Sequence, residues 1–495
     1  MKRRTRTLKK TINKLAAVLV AGATALCCLP TVAFADELQG AEDTLYDGSF
    51  YYELTPEHTY KITKCTAIIV EEVPAVRNGT AITCIGKGAF AECTGIGSLT
   101  IPDSVTTIEE NAFYGCPALK KVTLPRKLKT LGDHAFFSCT ALESIDIPDT
   151  ITEIQPYTFA LCDNLSEVKM GENVTDIGEY AFYQCGRIES FKLPSSLLNI
   201  GDNAMGGWYS INKIDVSNNG SFIYEDNMLM DKGKNKIYRA AVATEGEISI
   251  PSGVSEICSG AFSTCAQITA VHIPSSVLTI GDEAFKQCTS LKNVDFSEGL
   301  RSIGMGAFLF DQGIISLSIP TTVKSIDEVA FAYCMKLNKV ILPEGVESIG
   351  EEAFLVCDEL KQISIPKSVK TIGKNAFGYT VENSERQKLD GFNMSVFSGS
   401  AGEKYSKSEK IAHTVTDINI KRVAFIAIMI GLIVLVLVFA LTLMKRSKKT
   451  ATAGARKAAK KAKELEEEKK YKKIVNDDDA LPSDKAKEES ESKEE

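Results

Sequence analysis

Phenylalanine returns every 23 residues through most of this 495-residue chain. Phe90, Phe113, Phe136, Phe159 and Phe182 keep that spacing, and Met205 continues the register. After an interruption, Phe262, Phe285, Phe308, Phe331, Phe354 and Phe377 resume it. Three residues after the Phe stand Cys93, Cys116, Cys139, Cys162, Cys185, Cys265, Cys288, Cys334 and Cys357. Twelve after it stands Pro in most repeats, from Pro102 to Pro366, and five before it an aliphatic residue usually followed by Gly. A period of this length is that of stacked supersecondary units, each unable to bury its own apolar face and dependent on its neighbours for a core.

Within a unit the stretch before Pro alternates in the two-residue period of a strand, with Val122 and Leu124 inward and Lys121 and Thr123 outward. Proline then ends the strand, because it has no N–H for the ladder. The expected fold is a β-rich solenoid whose coils sit about 4.8 Å apart, the ordinary spacing of paired strands. The interval from Met205 to Phe262 is 57 residues, one repeat plus 34.

Units such as IPDSVTTIEENAFYGCPALKKVTLP, residues 101–125, resemble the BspA-like subclass of leucine-rich repeats. Residues 49–65 resemble that family's N-terminal hairpin, residues 390–414 its C-terminal closing strand and helix, and FIYEDNMLMDKGKNKIYRA at 222–240 the β-hairpin often inserted in these solenoids. The resemblance spans about residues 46–415. It implies a surface protein of the kind found in bacteria and protists, with a role in adhesion or binding. Met205, Gly171, Ser217 and Ser297 depart from consensus slots.

Both ends of the chain carry other signals. Lys2, Arg3, Arg4, Arg6, Lys9, Lys10 and Lys14 precede an apolar run that ends in Ala33, Phe34 and Ala35, the pattern of a cleaved secretory signal in bacterial style. Cleavage is expected after Ala35; no small residue precedes Cys27, which argues against lipid attachment there. A second run, opened by Val423 and closed by Met444, is uncharged for 22 residues, enough helix to contact membrane lipid across a core of about 30 Å. Lys445, Arg446, Lys448 and Lys449 follow it and predict a cytosolic C-terminus. The tail divides into a helix-favouring basic half, with 13 basic and 4 acidic residues over 445–473, and an acidic end. The expected organisation is signal peptide 1–35, N-terminal cap 36–84, solenoid 85–377 with an inserted hairpin at about 217–247, C-terminal cap and linker 378–422, transmembrane helix 423–444 and charged cytosolic tail 445–495.

The net charge of −7 gives no nucleic-acid footprint. Zinc needs four ligands converging on a tetrahedron, whereas a straight column gives each thiol two neighbours, so the cysteines are expected to be buried apolar spacers rather than a metal site. Cys65, Cys84 and Cys258 lie outside the column, and Asp311 and Thr380 replace Cys within it. His272, Asp295 and Ser318 fall on three successive rungs, but Asp295 sits between His and Ser, the wrong order for a hydrolase triad. No phosphate loop, paired-carboxylate motif or cofactor signature is present. Asn-x-Ser/Thr sites such as Asn78 and Asn164 matter only in a eukaryotic host.

The outward face of the solenoid is small, charged and without aromatic rings other than the imidazole of His272. The break in the repeat is richer. Trp208, the only Trp, takes a Cys slot; Tyr209 follows, and the insertion adds Phe222, Tyr224 and Tyr238. An indole is larger than a thiol, so Trp208 is expected either to pack under the hairpin or to emerge beside it. The sequence therefore points to a non-enzymatic surface binding or adhesion protein. Its partner would be an extracellular protein or glycan, with Trp208, Tyr209, Tyr224 and Tyr238 the candidate ligand contacts. A receptor whose tail docks a cytosolic partner, or a passive envelope spacer, are the alternatives.

Overall fold

A computed structural model describes residues 45–417 and 420–474. They divide into two units, 1–417 and 418–495, treated separately below.

In the first unit each coil contributes two short parallel strands. The face strands, such as Ser98–Thr100, Lys121–Thr123, Ser144–Asp146 and Glu167–Lys169, pair in a register offset by one repeat, Leu99 against Val122 and Ile145 against Val168. After the proline turn comes a two-residue strand. Thr279–Ile280, Ser302–Ile303 and Ser325–Ile326 pair in the same way. The glycine after that strand lets coils touch backbone to backbone. A Cβ on Gly132 would lie 2.5 Å from the amide nitrogen of Glu110, and one on Gly350 2.4 Å from the carbonyl carbon of Asp327.

The Phe turn supplies a third ladder. Phe90 N–H donates to Ala112 O at 2.8 Å, and Phe113 and Phe136 repeat the bond one coil on. The rings stack at the coil pitch: 4.9 Å from Phe90 to Phe113, 4.9 Å to Phe136, 5.5 Å to Phe159 and 5.3 Å to Phe182. The turn is bought with left-handed backbone two residues before and two after the Phe, as at Asn111 and Gly115, His134 and Ser138, and Glu352 and Val356.

The hairpin Phe50–Leu54/Tyr60–Cys65 lays its second strand parallel to Thr80–Ile85. At the other end Asn393–Val396 and Ala412–Val415 extend the face sheet from Gln362–Ser364. The helix α1, Ala401–Ser408, covers that end. Ser400 Oγ accepts from Glu403 N–H and Glu403 accepts from Gly399 N–H, so two otherwise orphaned amides are satisfied. Tyr405 closes the last coil, its hydroxyl bonded to both the N–H and the carbonyl of Phe377.

The interruption differs from the expected simple insertion. The hairpin proper is Phe222–Glu225 against Met228–Asp231. Lys236–Ala240 pairs antiparallel with Met228–Asp231 and parallel with Glu256–Ile257, and Glu245–Ser249 joins the face sheet beside Gln267–Ile273. Residues 236–249 are thus a coil of their own, shortened and without a Phe. The strand Met228–Asp231 is a junction between two apolar cores. Leu229 belongs to the first core, which runs from Phe50; Met228 and Met230 belong to the second, which runs to Ile411. Alternation along the strand sends its neighbours to opposite cores.

The second unit contains the 55-residue helix α2, Ile420–Ile474. Among the described residues no helix is long and apolar enough to cross a membrane, so the span expected at 423–444 is not supported here. Side chains in that stretch are described over 428–443, and nearly all of them are exposed. The signal peptide expected at 1–35 and the acidic end of the tail lie outside the described residues.

Candidate functional site

The face strands put polar side chains outward on successive coils. Lys121, Thr123, Glu167 and Lys169 are exposed while Val122 between the first two is buried. Lys169 pairs with Asp146 on the preceding coil at 3.3 Å, an exposed contact of a kind that contributes roughly 0–1 kcal/mol.

One polar constellation stands out on this face. His272 bridges its two neighbours, Nε2 to Glu247 Oε1 at 2.6 Å and Nδ1 to Asp295 Oδ2 at 3.2 Å. The hydrogen bond to Glu247, then that to Asp295, hold the imidazole above its usual range. Both ring nitrogens are committed to carboxylates, so neither serves Ser318 as a base. The nitrogens point to opposite sides of the ring and cannot share one ion. Among the described residues no group of His, Cys, Asp and Glu could hold a metal.

The cysteine column faces the core. Most of its thiols donate to the Phe carbonyl 26 residues earlier: Cys116 to Phe90 at 3.0 Å, Cys139 to Phe113 at 3.1 Å, Cys288 to Phe262 at 3.3 Å. Burial pushes the Cys162, Cys288 and Cys334 thiols well above their ordinary range. All twelve cysteines among the described residues are free thiols.

The four candidate ligand contacts sit at the break in different surroundings. Trp208 is fully buried and packs on Phe191 at 5.1 Å and Phe182 at 6.5 Å. Its Nε1 donates to Phe182 O at 2.8 Å. The flanking glycines make room: Gly207 is left-handed, and a Cβ on Gly206 would lie 1.8 Å from Asn203 Oδ1. Trp208 presents nothing to a ligand at the surface. Tyr209 is 47% exposed, its ring laid over Gly186. Tyr238 packs edge-on against Phe222 at 5.4 Å, and Tyr238 and Tyr224 are half-buried against the first core. Burial raises all three phenols. The structure therefore leaves Tyr209 as the most open ring of the four.

Two features were not evident from residue spacing, the first of them at the break. Arg239 is fully buried and donates to Gly260 O at 2.6 Å and Trp208 O at 2.8 Å, tying the coils on either side of the hairpin. Farther along, Asp282, Asp327, Glu328 and Glu351 line an open acidic groove beside the short strands. Burial raises the Asp282 and Asp327 carboxyls, and each is pushed further by neighbouring acids. Its sequence signal is an acid directly after the column glycine, as in Gly281-Asp282 and Gly350-Glu351.

The profile of the BspA type leucine rich repeat region matches six copies over residues 83–225, 255–384 and 310–419. The chain belongs to this family. Among solved structures, this BspA-type chain is similar to a leucine rich cell surface protein from Faecalibacterium prausnitzii A2-165. The two are 29% identical with a TM-score of 0.54, over 74% of this chain and 97% of that one. The pneumococcal vaccine antigen PcpA shares the fold at 16% identity and a TM-score of 0.54, over 76% and 99% of the two chains. No curated protein matches the sequence.

Proposed function

We propose that this BspA-type protein is a non-enzymatic surface binding or adhesion protein, its solenoid displayed from a single membrane anchor at residues 423–444. The observation that carries the reading is the ladder of face strands, which repeats exposed polar side chains in register from coil to coil and so offers an extended contact surface. The similar Faecalibacterium protein is described as a cell surface protein, which agrees with display outside the cell. The ligand would be an extracellular protein or glycan, held by many weak polar contacts, with Tyr209 at the break as an aromatic contact. The anchor rests on the uncharged run and its basic flank, with the basic residues held at the cytosolic surface.

Soluble protein comprising residues 36–415, tested on arrays of host-matrix proteins, glycans and bacterial surfaces, should capture a reproducible ligand that competes with intact cells. Failure on all three arrays would leave the passive spacer as the better account. Protease added to intact cells should remove the solenoid and spare a C-terminal fragment; digestion of that tail would overturn the orientation. The helical continuation of α2 to Ile474 favours one second reading, a receptor whose tail docks a cytosolic partner. Replacing residues 451–495 with a neutral linker separates the two: attachment should persist for an adhesin, whereas a receptor should lose its downstream response.

A further inference from the structure

Most of the cysteines are locked in the core, but two are placed differently. Cys65 ends the second strand of the N-terminal hairpin, and Cys93 is the first thiol of the column. Two backbone approaches hold the hairpin end against the first coil around them. Cys65 N–H donates to Ala89 O at 2.6 Å, and the carbonyl of Ile68 lies so close to Gly95 that a Cβ there would sit 2.0 Å away. Between these approaches the two thiols face each other closely enough to perturb one another's ionisation, and the Cys65 thiol donates to Ala67 O at 3.7 Å. Cys93 is half-buried, the one column thiol that is not fully buried, so the pair can be reached from that side.

We propose that Cys65 and Cys93 are an oxidation site, a dithiol that closes to a disulfide and pins the N-terminal hairpin covalently to the first coil. The oxidant is a small-molecule disulfide such as oxidised glutathione. One sulfur of the pair, as thiolate, attacks a glutathione sulfur; the S–S bond of the oxidant breaks and one glutathione thiolate leaves. The second thiol loses its proton to solvent and attacks the mixed disulfide, displacing the other glutathione. Two protein thiols become one disulfide while one oxidised glutathione becomes two reduced molecules. The neighbouring Cys93 thiol favours ionisation at Cys65, which supplies the thiolate.

Among the described residues no equivalent pair is available elsewhere. Cys84 is buried, and its thiol is held up to about 12 by that burial and by Glu109, to which it donates at 3.4 Å. Cys116 and Cys139 neighbour each other, but both are fully buried and donate to backbone carbonyls.

The test is mass spectrometry of the full chain, folded, treated with oxidised glutathione and then alkylated before and after unfolding. The expected result is a loss of two hydrogens from the intact mass, a bridged peptide joining Cys65 to Cys93, and the remaining described thiols alkylatable only after unfolding. Cys65→Ser and Cys93→Ser, checked for folding by circular dichroism, should each stop at a glutathione adduct on the surviving thiol. Both cysteines recovered as free thiols after prolonged oxidation would overturn the proposal. So would a bridge from Cys93 to Cys116 in place of the one to Cys65.

Discussion

The indole nitrogen of Trp208 donates to the carbonyl oxygen of Phe182 at 2.8 Å, the donor position that a thiol fills in neighbouring coils. One coil earlier the same place is taken by Cys185, whose thiol donates to Phe159 O at 3.2 Å. The exchange coincides with the end of the first Phe stack. Met205 stands where the next ring would be, and the indole meets Phe182 edge-on instead. One side chain thus keeps the column's hydrogen bond and fills space that the missing phenyl leaves.

Trp208 should accordingly act as a structural residue. Trp208→Ala is expected to cost about 3–5 kcal/mol, the range for truncating a buried aromatic residue. Trp208→Phe retains much of the ring but loses one of the two hydrogen bonds to the Phe182 carbonyl, which the Cys185 N–H still meets at 3.2 Å, for about 1 kcal/mol. Urea denaturation measures both. An unchanged midpoint in Trp208→Ala would mean that the indole is not packed as described.

Arg239 joins the coils across the break through two carbonyls that no other side chain reaches. Burial lowers its affinity for the proton, so the guanidinium is held against a solvation penalty by those bonds. Arg239→Met should be less stable by about 3 kcal/mol, two bonds to a charged donor at roughly 1.5–3 kcal/mol each less the relief of removing the buried charge. Arg239→Lys should rescue only part, because an ammonium lacks the planar fork that spans both oxygens. Hydrogen exchange would read the loss as early opening near Gly260. Equal protection in Arg239→Met and wild type would contradict the bridge.

The solenoid was legible because its physics repeats: Phe, Cys, Pro and the column glycine recur wherever the coil recurs. The coil at 236–249 escaped because it keeps the strands and loses the markers. Cys265 Sγ donates to Ala241 O, the place a Phe carbonyl would fill. The left-handed positions left no trace in composition, since Asn111, His134 and Tyr157 all occupy the same slot. At the break, spacing identified the aromatic residues but not their exposure. Burial there depends on which core each strand residue faces, and a strand shared between two cores has no single inward side.

His272 should titrate above its ordinary value of 6.5. Its folded pKa is raised, so any stability it contributes is present in full below the unfolded value and lost as pH rises through the folded one. The side chain is 42% exposed, so the effect should appear in the titration midpoint rather than in melting. NMR of the imidazole should show Glu247→Gln lowering the midpoint more than Asp295→Asn. A wild-type midpoint at or below the ordinary value would refute the bridge.

Asp311 should make stability depend on pH. It stands in the cysteine column between Cys288 and Cys334, fully buried, with neither carboxylate oxygen given a partner. Burial raises its pKa well above the usual carboxylate range. The folded chain therefore keeps a proton that the unfolded chain releases near its ordinary value of about 3.9. Stability is greatest below that value and falls as pH rises towards the folded pKa, because the unfolded state then binds fewer protons. Asp311→Cys removes the titrating group and restores a donor for the carbonyl of Phe285, 26 residues earlier. It should be more stable by about 1–3 kcal/mol, the cost of an unsatisfied buried polar group. The margin should widen from pH 5 to pH 8 in urea denaturation. A variant less stable than wild type, with a gap that does not change with pH, would mean that Asp311 is paired in solution and that the column accommodates its charge.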